Sequence, residues 1–278
     1  MMLIIEILNN VLPVLYGIVI LMYGLAFFSK NETKITGFIK FKRPLLIVII
    51  VLQAAYFVLR AIKYDHAPIT TSYEILTLLA FSITLNYIYI ELKTNVSDTG
   101  FFILIIAGIV QLISTIFIQE LREINPVLKN YLLGFHVAFI LIGYSAITIS
   151  GIYGFLYILL YRAIKENKFG AFYKRLPSLH LLEELTYSAL VFGFIFLSLT
   201  ILIGIIWLPH SVDNFSYYDP KLIATFIVWV LYAAGFVSKT LGNFQSKTIM
   251  KLAFAGFIYT MVSVAIVNIF LSTFHKFN

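Results

Sequence analysis

The chain has no cysteine in any of its 278 positions. That removes disulfides, thiolate metal sites and thiol redox chemistry together. Charge is also scarce: 12% of the residues are Asp, Glu, Lys or Arg, against about 25% in an ordinary soluble domain. So little polar side chain does not cover a globule in water, and lipid must be the solvent for much of the surface. No Gly-x-Ser-x-Gly, phosphate-binding loop, HExxH or Ser-His-Asp pattern occurs, which argues against a hydrolase or an ATPase. No catalytic set is in view, and an enzyme is not expected. The opening run Met1-Met2-Leu3-Ile4-Ile5-Glu6 has neither a basic stretch nor a small-residue cleavage site. It is expected to begin the first span and not a removable signal peptide.

What is present is apolar. Hydrophobic residues make up 61% of the chain and aromatic ones 17%, with 26 Phe and 18 Tyr. A membrane span takes roughly 20 such residues at about 1.5 Å of rise each. Eight stretches meet or approach this: Val11 to Phe28, Leu45 to Leu59, Ile75 to Ile90, Phe101 to Ile118, Leu132 to Leu160, Ala189 to Trp207, Leu222 to Val237 and Leu252 to Leu271. None shows the alternation of period two that a membrane barrel requires. The fold expected is all-α: a polytopic integral membrane protein with eight transmembrane helices, in one membrane domain over residues 1–278.

The 20 Lys and Arg residues set the orientation. Lys30, Lys34, Lys40, Lys42, Arg43, Lys93, Arg162, Lys165, Lys168, Lys174, Arg175, Lys239, Lys247 and Lys251 all fall in alternate loops. Only Arg60, Lys63, Arg122, Lys129, Lys221 and Lys276 fall on the other side. The basic loops are therefore assigned to the cytoplasm and both termini to the outside. The net charge of +7 is a topology signal beside anionic lipid, and no nucleic-acid partner is expected. A mid-span charge or a broken helix would suggest a solute transporter, and the runs show neither.

The same topology sorts the five histidines. His66, His136, His210 and His275 belong to the outer side, His180 to the cytoplasm. His136 stands four residues into the fifth span, about 6 Å of rise, and His275 four residues past the eighth. An interfacial histidine is commonly a hydrogen-bonded or snorkelling side chain, but a polar residue inside a span more often faces the bundle interior and has a function. Neutral imidazoles ligate haem iron well, and two of them fill its axial positions. A closed zinc site wants four ligands, which without cysteine demands all four outer histidines or help from Asp and Glu. The two-ligand haem site suits this composition better.

The segment Leu176-Pro177-Ser178-Leu179, then Leu182, Leu185, Tyr187, Gly193-Phe194, Leu197, Gly204 and Trp207 resembles the run into the tryptophan-rich loop of the cytochrome c assembly proteins, the CcsA-type family. The loop's end reads Tyr218-Asp219-Pro220-Lys221, and Trp229 to Tyr232 resembles the family's Trp-Leu-Val-Tyr segment. Asn268 and His275 match its terminal Asn-x6-His. Gly134-Phe135-His136-Val137 with Ser145 resembles its outer-face histidine, and Pro68 with Tyr73-Glu74 its Pro-x4-Tyr-Glu stretch. The matches run in order from about residue 60 to residue 278. The resemblance implies a multi-pass protein of the plasma membrane in a bacterium, with haem b as cofactor. It makes His136 and His275 the axial ligands of the haem iron, and the loop from Trp207 to Asp219 a cover over the haem.

Departures narrow that implication. Val212, Ser216 and Tyr218 stand where the haem-attaching members have tryptophans, and Val237 where they carry an intramembrane histidine. The pattern is closer to the HemX branch, whose members are associated with limiting glutamyl-tRNA reductase. Glutamyl-tRNA reductase is then the implied partner, and the alternative is a CcsA-like component paired with another cytochrome c assembly subunit.

Trp207, Phe215, Tyr217 and Tyr218 also form an aromatic cluster where an interfacial belt is common, and porphyrin planes stack on such rings. Asp219 before Pro220 has the form of a helix N-cap; Asp213 and Asp219 are alternatively orienting groups for a ligating imidazole. Arg60 and Glu74, at the outer ends of adjacent spans, are expected to pair. His180, with Leu179, Leu182, Glu183 and Leu185, reads as an amphipathic helix leading into the sixth span.

Overall fold

The computed structural model describes residues 1–29, 37–118, 131–168, 170–211, 216–240 and 245–266. Every regular element among them is helical. In chain order these are α1 (Met2–Phe28), α2 (Lys42–Tyr64), α3 (Ser72–Thr94), α4 (Gly100–Phe117), α5 (Tyr131–Lys165), the short α6 (Ala171–Arg175), α7 (Leu179–Ser211), α8 (Pro220–Thr240) and α9 (Ser246–Ile266). Seven of the helices among the described residues are long and apolar enough to cross a membrane, so the chain is a multi-pass membrane protein. The eighth expected span, Leu252 to Leu271, is described only as far as Ile266, and its remainder lies outside the described residues.

Helices overrun the apolar stretches because no breaker stops them. The segment around His180 is continuous with the sixth span in α7: no Gly or Pro stands between Leu179 and Ala189. Where helices do end, the stop is local. Asp65 and Asn95 take left-handed conformations (φ 55° and 56°) after α2 and α3, a role that Asn and Asp tolerate better than branched residues. α3 begins with a capping box, in which Thr71 accepts from the Glu74 N–H and the Glu74 side chain accepts from the Thr71 N–H.

The helices form two compact units, Met1–Leu121 with Lys168–Pro177, and Arg122–Asn167 with Ser178–Asn278. In the first unit α1 packs on α2 and α4, and α3 packs on α2 and α4. Lipid tails are as apolar as leucine, so close packing and polar contacts must hold such a bundle together. Two ion pairs do so, one fully buried and one with its carboxylate buried and its guanidinium part-exposed. The expected Arg60–Glu74 pair is present, with Nε 2.7 Å from Oε1, and only 5% and 2% of the two residues is exposed. Its counterpart, Arg43–Glu91 at 2.8 Å, was not expected. Arg43 and Arg60 are spaced along α2 as Glu74 and Glu91 are along α3, at about 25 Å of rise, so the α2–α3 pair is stapled near both edges of a roughly 30 Å hydrocarbon layer. Arg175 of α6, counted above only as a cytoplasmic cation, donates to the Ala26 and Ser29 carbonyls at the C-terminal end of α1.

In the second unit α5 lies along α7 and α9, and α8 contacts both α7 and α9. Glycines allow the close approaches. A Cβ on Gly151 would strike Phe257, and one on Gly154 would come within 2.7 Å of the Met250 carbonyl. Tyr232 extends from α8 to the carbonyls of Ile147 (3.2 Å) and Ala253 (3.4 Å), and Trp229 Nε1 donates to Ser198 Oγ at 2.7 Å.

Candidate functional site

The expected site residues that are described in the second unit, His136, Trp207, Tyr217, Tyr218 and Asp219, belong to one end of it, where α5 and α8 begin and α7 ends. The packing register gives their levels. Gly143 meets Leu197 and Gly193 meets Ile147 along the antiparallel α5–α7 contact; continued in the same register, Trp207 comes level with Leu133, within about a turn of His136. α8 runs parallel to α5. Tyr144 Oη lies 3.4 Å from Thr225 Oγ1 and Tyr232 reaches Ile147. That offset brings the first turn of α8, with Lys221, near the level of His136, and Tyr217, Tyr218 and Asp219 stand just ahead of that turn. Residues scattered from 136 to 221 in the chain thus share one layer.

Within that layer their environments differ. His136 is half-buried, and its Nδ1 is shielded from solvent. Trp207 is half-buried on the last turns of α7. Tyr217 and Tyr218 are exposed, Tyr218 at 86%. Asp219 is buried at 2% and is an N-cap, as its sequence context suggested: its Oδ1 accepts from the Lys221 N–H at 2.7 Å and its carbonyl from the Ile223 N–H at 3.1 Å. Asp219→Ala is expected to cost about 1 kcal/mol through loss of that cap, read as a lower unfolding midpoint of the detergent-purified chain; Asp219→Asn should retain most of it. His275, Phe215 and Asp213 lie outside the described residues.

The other described histidines are exposed or make local contacts. His210 is exposed on the last turn of α7, its Nδ1 3.0 Å from the Ile206 carbonyl, which is a local contact of the helix end. His66 belongs to the first unit, where Nδ1 meets the Ala67 carbonyl at 2.8 Å and the ring lies against Tyr64. His180 is exposed.

An aromatic row on α5 and α7 at about the depth of His136, its outer members Phe135 and Phe192 exposed, was missed. Phe135 and Phe139 on α5 meet one another, Phe139 meets Phe196 on α7 at 5.8 Å, and Phe196 stacks on Phe192. The signal was available as two i, i+4 Phe pairs, but in a chain with 26 Phe such pairs carry little information until the helices are docked. Among the described residues no group of three or more His, Asp and Glu side chains is placed to hold a metal ion. A porphyrin with one or two axial imidazoles requires no such group.

The sequence model of the cytochrome C assembly protein family matches residues 69–275. Protein HemX of Brevibacillus brevis is 28% identical over 197 residues, covering 68% of this chain and 70% of its own length. Protein HemX of Bacillus subtilis is 26% identical over 160 residues, 58% of each chain. The cytochrome c biogenesis protein CcsA of Guillardia theta is 25% identical over 237 residues, covering 78% of this chain and 79% of its own.

Proposed function

We propose, from the premise that this chain belongs to the cytochrome C assembly protein family, that it is a haem-binding membrane protein of the HemX type. In this reading it has eight spans in one membrane domain, with both termini outside a bacterial plasma membrane. Haem b is held at the outer face between His136 and His275, with Trp207, Phe215, Tyr217, Tyr218 and Asp219 around it. The observation that supports it best is the level that His136 shares with Trp207 and the start of α8, with the imidazole half-buried and the Phe139–Phe196 contact at about its depth.

The described residues suit the group. A porphyrin needs an imidazole presented from a helix and apolar rings against its plane, and α5 and α7 supply both. When bound, haem would supply an iron for imidazole nitrogens to ligate; His136 and His275 would present them, and the surrounding rings would exclude water. Tyr217 and Tyr218, exposed in the described structure, would serve as a cover from the rim. Asp219 would set the start of α8, and so the path of the loop above it.

Holding or sensing haem is favoured over attaching it. Val237 stands where haem-attaching relatives carry an intramembrane histidine, and it is exposed on α8. A role in limiting glutamyl-tRNA reductase follows from likeness to the HemX branch; the alternative is a CcsA-like component of a cytochrome c haem-attachment complex. Failure to support c-type cytochrome maturation, alone or with a partner subunit, would exclude that alternative.

Detergent-purified protein titrated with haem should show a Soret band, reduced by His136→Ala and by His275→Ala and partly restored by added imidazole. Unchanged spectra in both variants would refute the ligand assignment.

A further inference from the structure

The first unit holds a set of buried polar side chains that the haem reading does not use. Gln53 and Gln111 are fully buried near the middle of α2 and on α4, and Tyr16 and Thr84 are buried on α1 and α3. They are joined in series. Tyr16 Oη lies 3.0 Å from Gln53 Oε1, Gln53 Nε2 is 2.9 Å from Gln111 Oε1, Gln111 Nε2 is 3.2 Å from Thr115 Oγ1, and Thr115 Oγ1 is 3.1 Å from the Asn9 carbonyl oxygen. Thr84 Oγ1 closes on the Tyr16 oxygen at 2.6 Å, which brings in the fourth helix. The series leaves α1 at Tyr16 and returns to it at Asn9.

The Asn9 carbonyl is open for a reason visible in the sequence. Its ordinary partner within α1 is the N–H four residues on, and that residue is Pro13, inside the helix, which has none. In lipid an orphaned carbonyl is costly and must be satisfied by a neighbouring helix. Thr115 does so. A carbonyl only accepts, so the Thr115 proton is committed to it, and the Thr115 oxygen must accept from the Gln111 amide. Gln111 Oε1 then faces Gln53 and takes its N–H, and Gln53 Oε1 is left to accept from Tyr16. One missing N–H thereby orients every bond of the series.

We propose that Pro13 is the organising residue of a directional hydrogen-bond lock that fixes the register of α1, α2, α3 and α4 against one another. The fully buried apolar residues Val19 on α1, Ile49 on α2 and Ala107 on α4 lie between this lock and the Arg43–Glu91 pair, so the lock is a distinct layer from that end of the ion-pair staple. Every residue of the lock belongs to the first unit, whereas His136, Trp207, Tyr217, Tyr218 and Asp219 of the proposed haem site belong to the second.

A double-mutant cycle on the full chain in detergent tests the lock. Thr115→Val leaves the Asn9 carbonyl without a donor and should lower the unfolding midpoint by on the order of 5 °C. Adding Pro13→Ala supplies the N–H of residue 13 and should recover most of that loss. Thr115→Ser, which keeps the hydroxyl, should behave as the natural chain, and the yield of monodisperse protein should follow the same order if the valine variant unfolds during purification. The proposal is overturned if Thr115→Val matches Thr115→Ser, or if Pro13→Ala changes the midpoint equally with Thr and with Val at 115. The Soret titration of the Thr115 variants, expected to be unchanged, separates failure of the lock from failure of the haem reading.

Discussion

Glu74→Ala is expected to destabilise the chain by about 3–5 kcal/mol, the usual cost of removing one partner from a buried ion pair. Glu74 does more than neutralise Arg60. One oxygen accepts from Arg60 Nε at 2.7 Å, and the other accepts from the Thr70 N–H, the Thr70 hydroxyl and the Thr71 N–H. Its loss strands a guanidinium that is 5% exposed and leaves three donors unsatisfied at the start of α3. Unfolding of the purified protein, followed by heat or denaturant, measures the effect. The pairing itself is tested by Arg60→Met with Glu74→Met, which removes both charges together and should cost clearly less than Glu74→Ala alone. If the double variant is the less stable, the stranded charge is not the source of the loss.

Gly154→Val is expected to have the second large effect, at the upper end of the roughly 1–3 kcal/mol that overpacking costs. A Cβ at this position lies 2.7 Å from the Met250 carbonyl oxygen, and a backbone atom does not rotate away as a side chain does. α5 and α9 must therefore move apart. Gly143→Ala provides the contrast, since its Cβ would meet the Leu197 side chain at 3.3 Å, where a small rotation relieves the contact. Gly134→Ala has open space around it and should be neutral or slightly stabilising, because alanine favours the helix. Equal midpoints for Gly154→Val and Gly134→Ala would contradict the described packing of α5 on α9.

How much of this was legible in the sequence depends on how local each feature is. Asp219 before Pro220 was readable as a cap because the whole device lies within a few residues. Arg60 and Glu74 were readable as a pair because the turn between two spans brings them together. Arg43 and Glu91 follow the same logic at the opposite end of the same hairpin, but the loop count that assigned Arg43 to a topology signal drew attention away from its partner. The aromatic row at about the depth of His136 and the level shared by His136 and Trp207 depend on which faces of α5 and α7 meet. In runs this uniformly apolar, hydropathy does not mark the inward face, so helix rotation cannot be read from it.

Composition and apolar length alone therefore determined an all-helical, multi-pass membrane protein without thiol chemistry, because lipid admits few other solutions for such a chain. The family motifs pointed to His136 and to the loop ahead of α8. The tertiary structure decided which polar groups meet. Thr115 answers an N–H missing at Pro13 from a helix about a hundred residues away, and the two glutamines take their orientation from it. Each hydrogen-bond partner in lipid is set by the rotation and register of packed helices, and those are properties of the assembled bundle that no single span encodes.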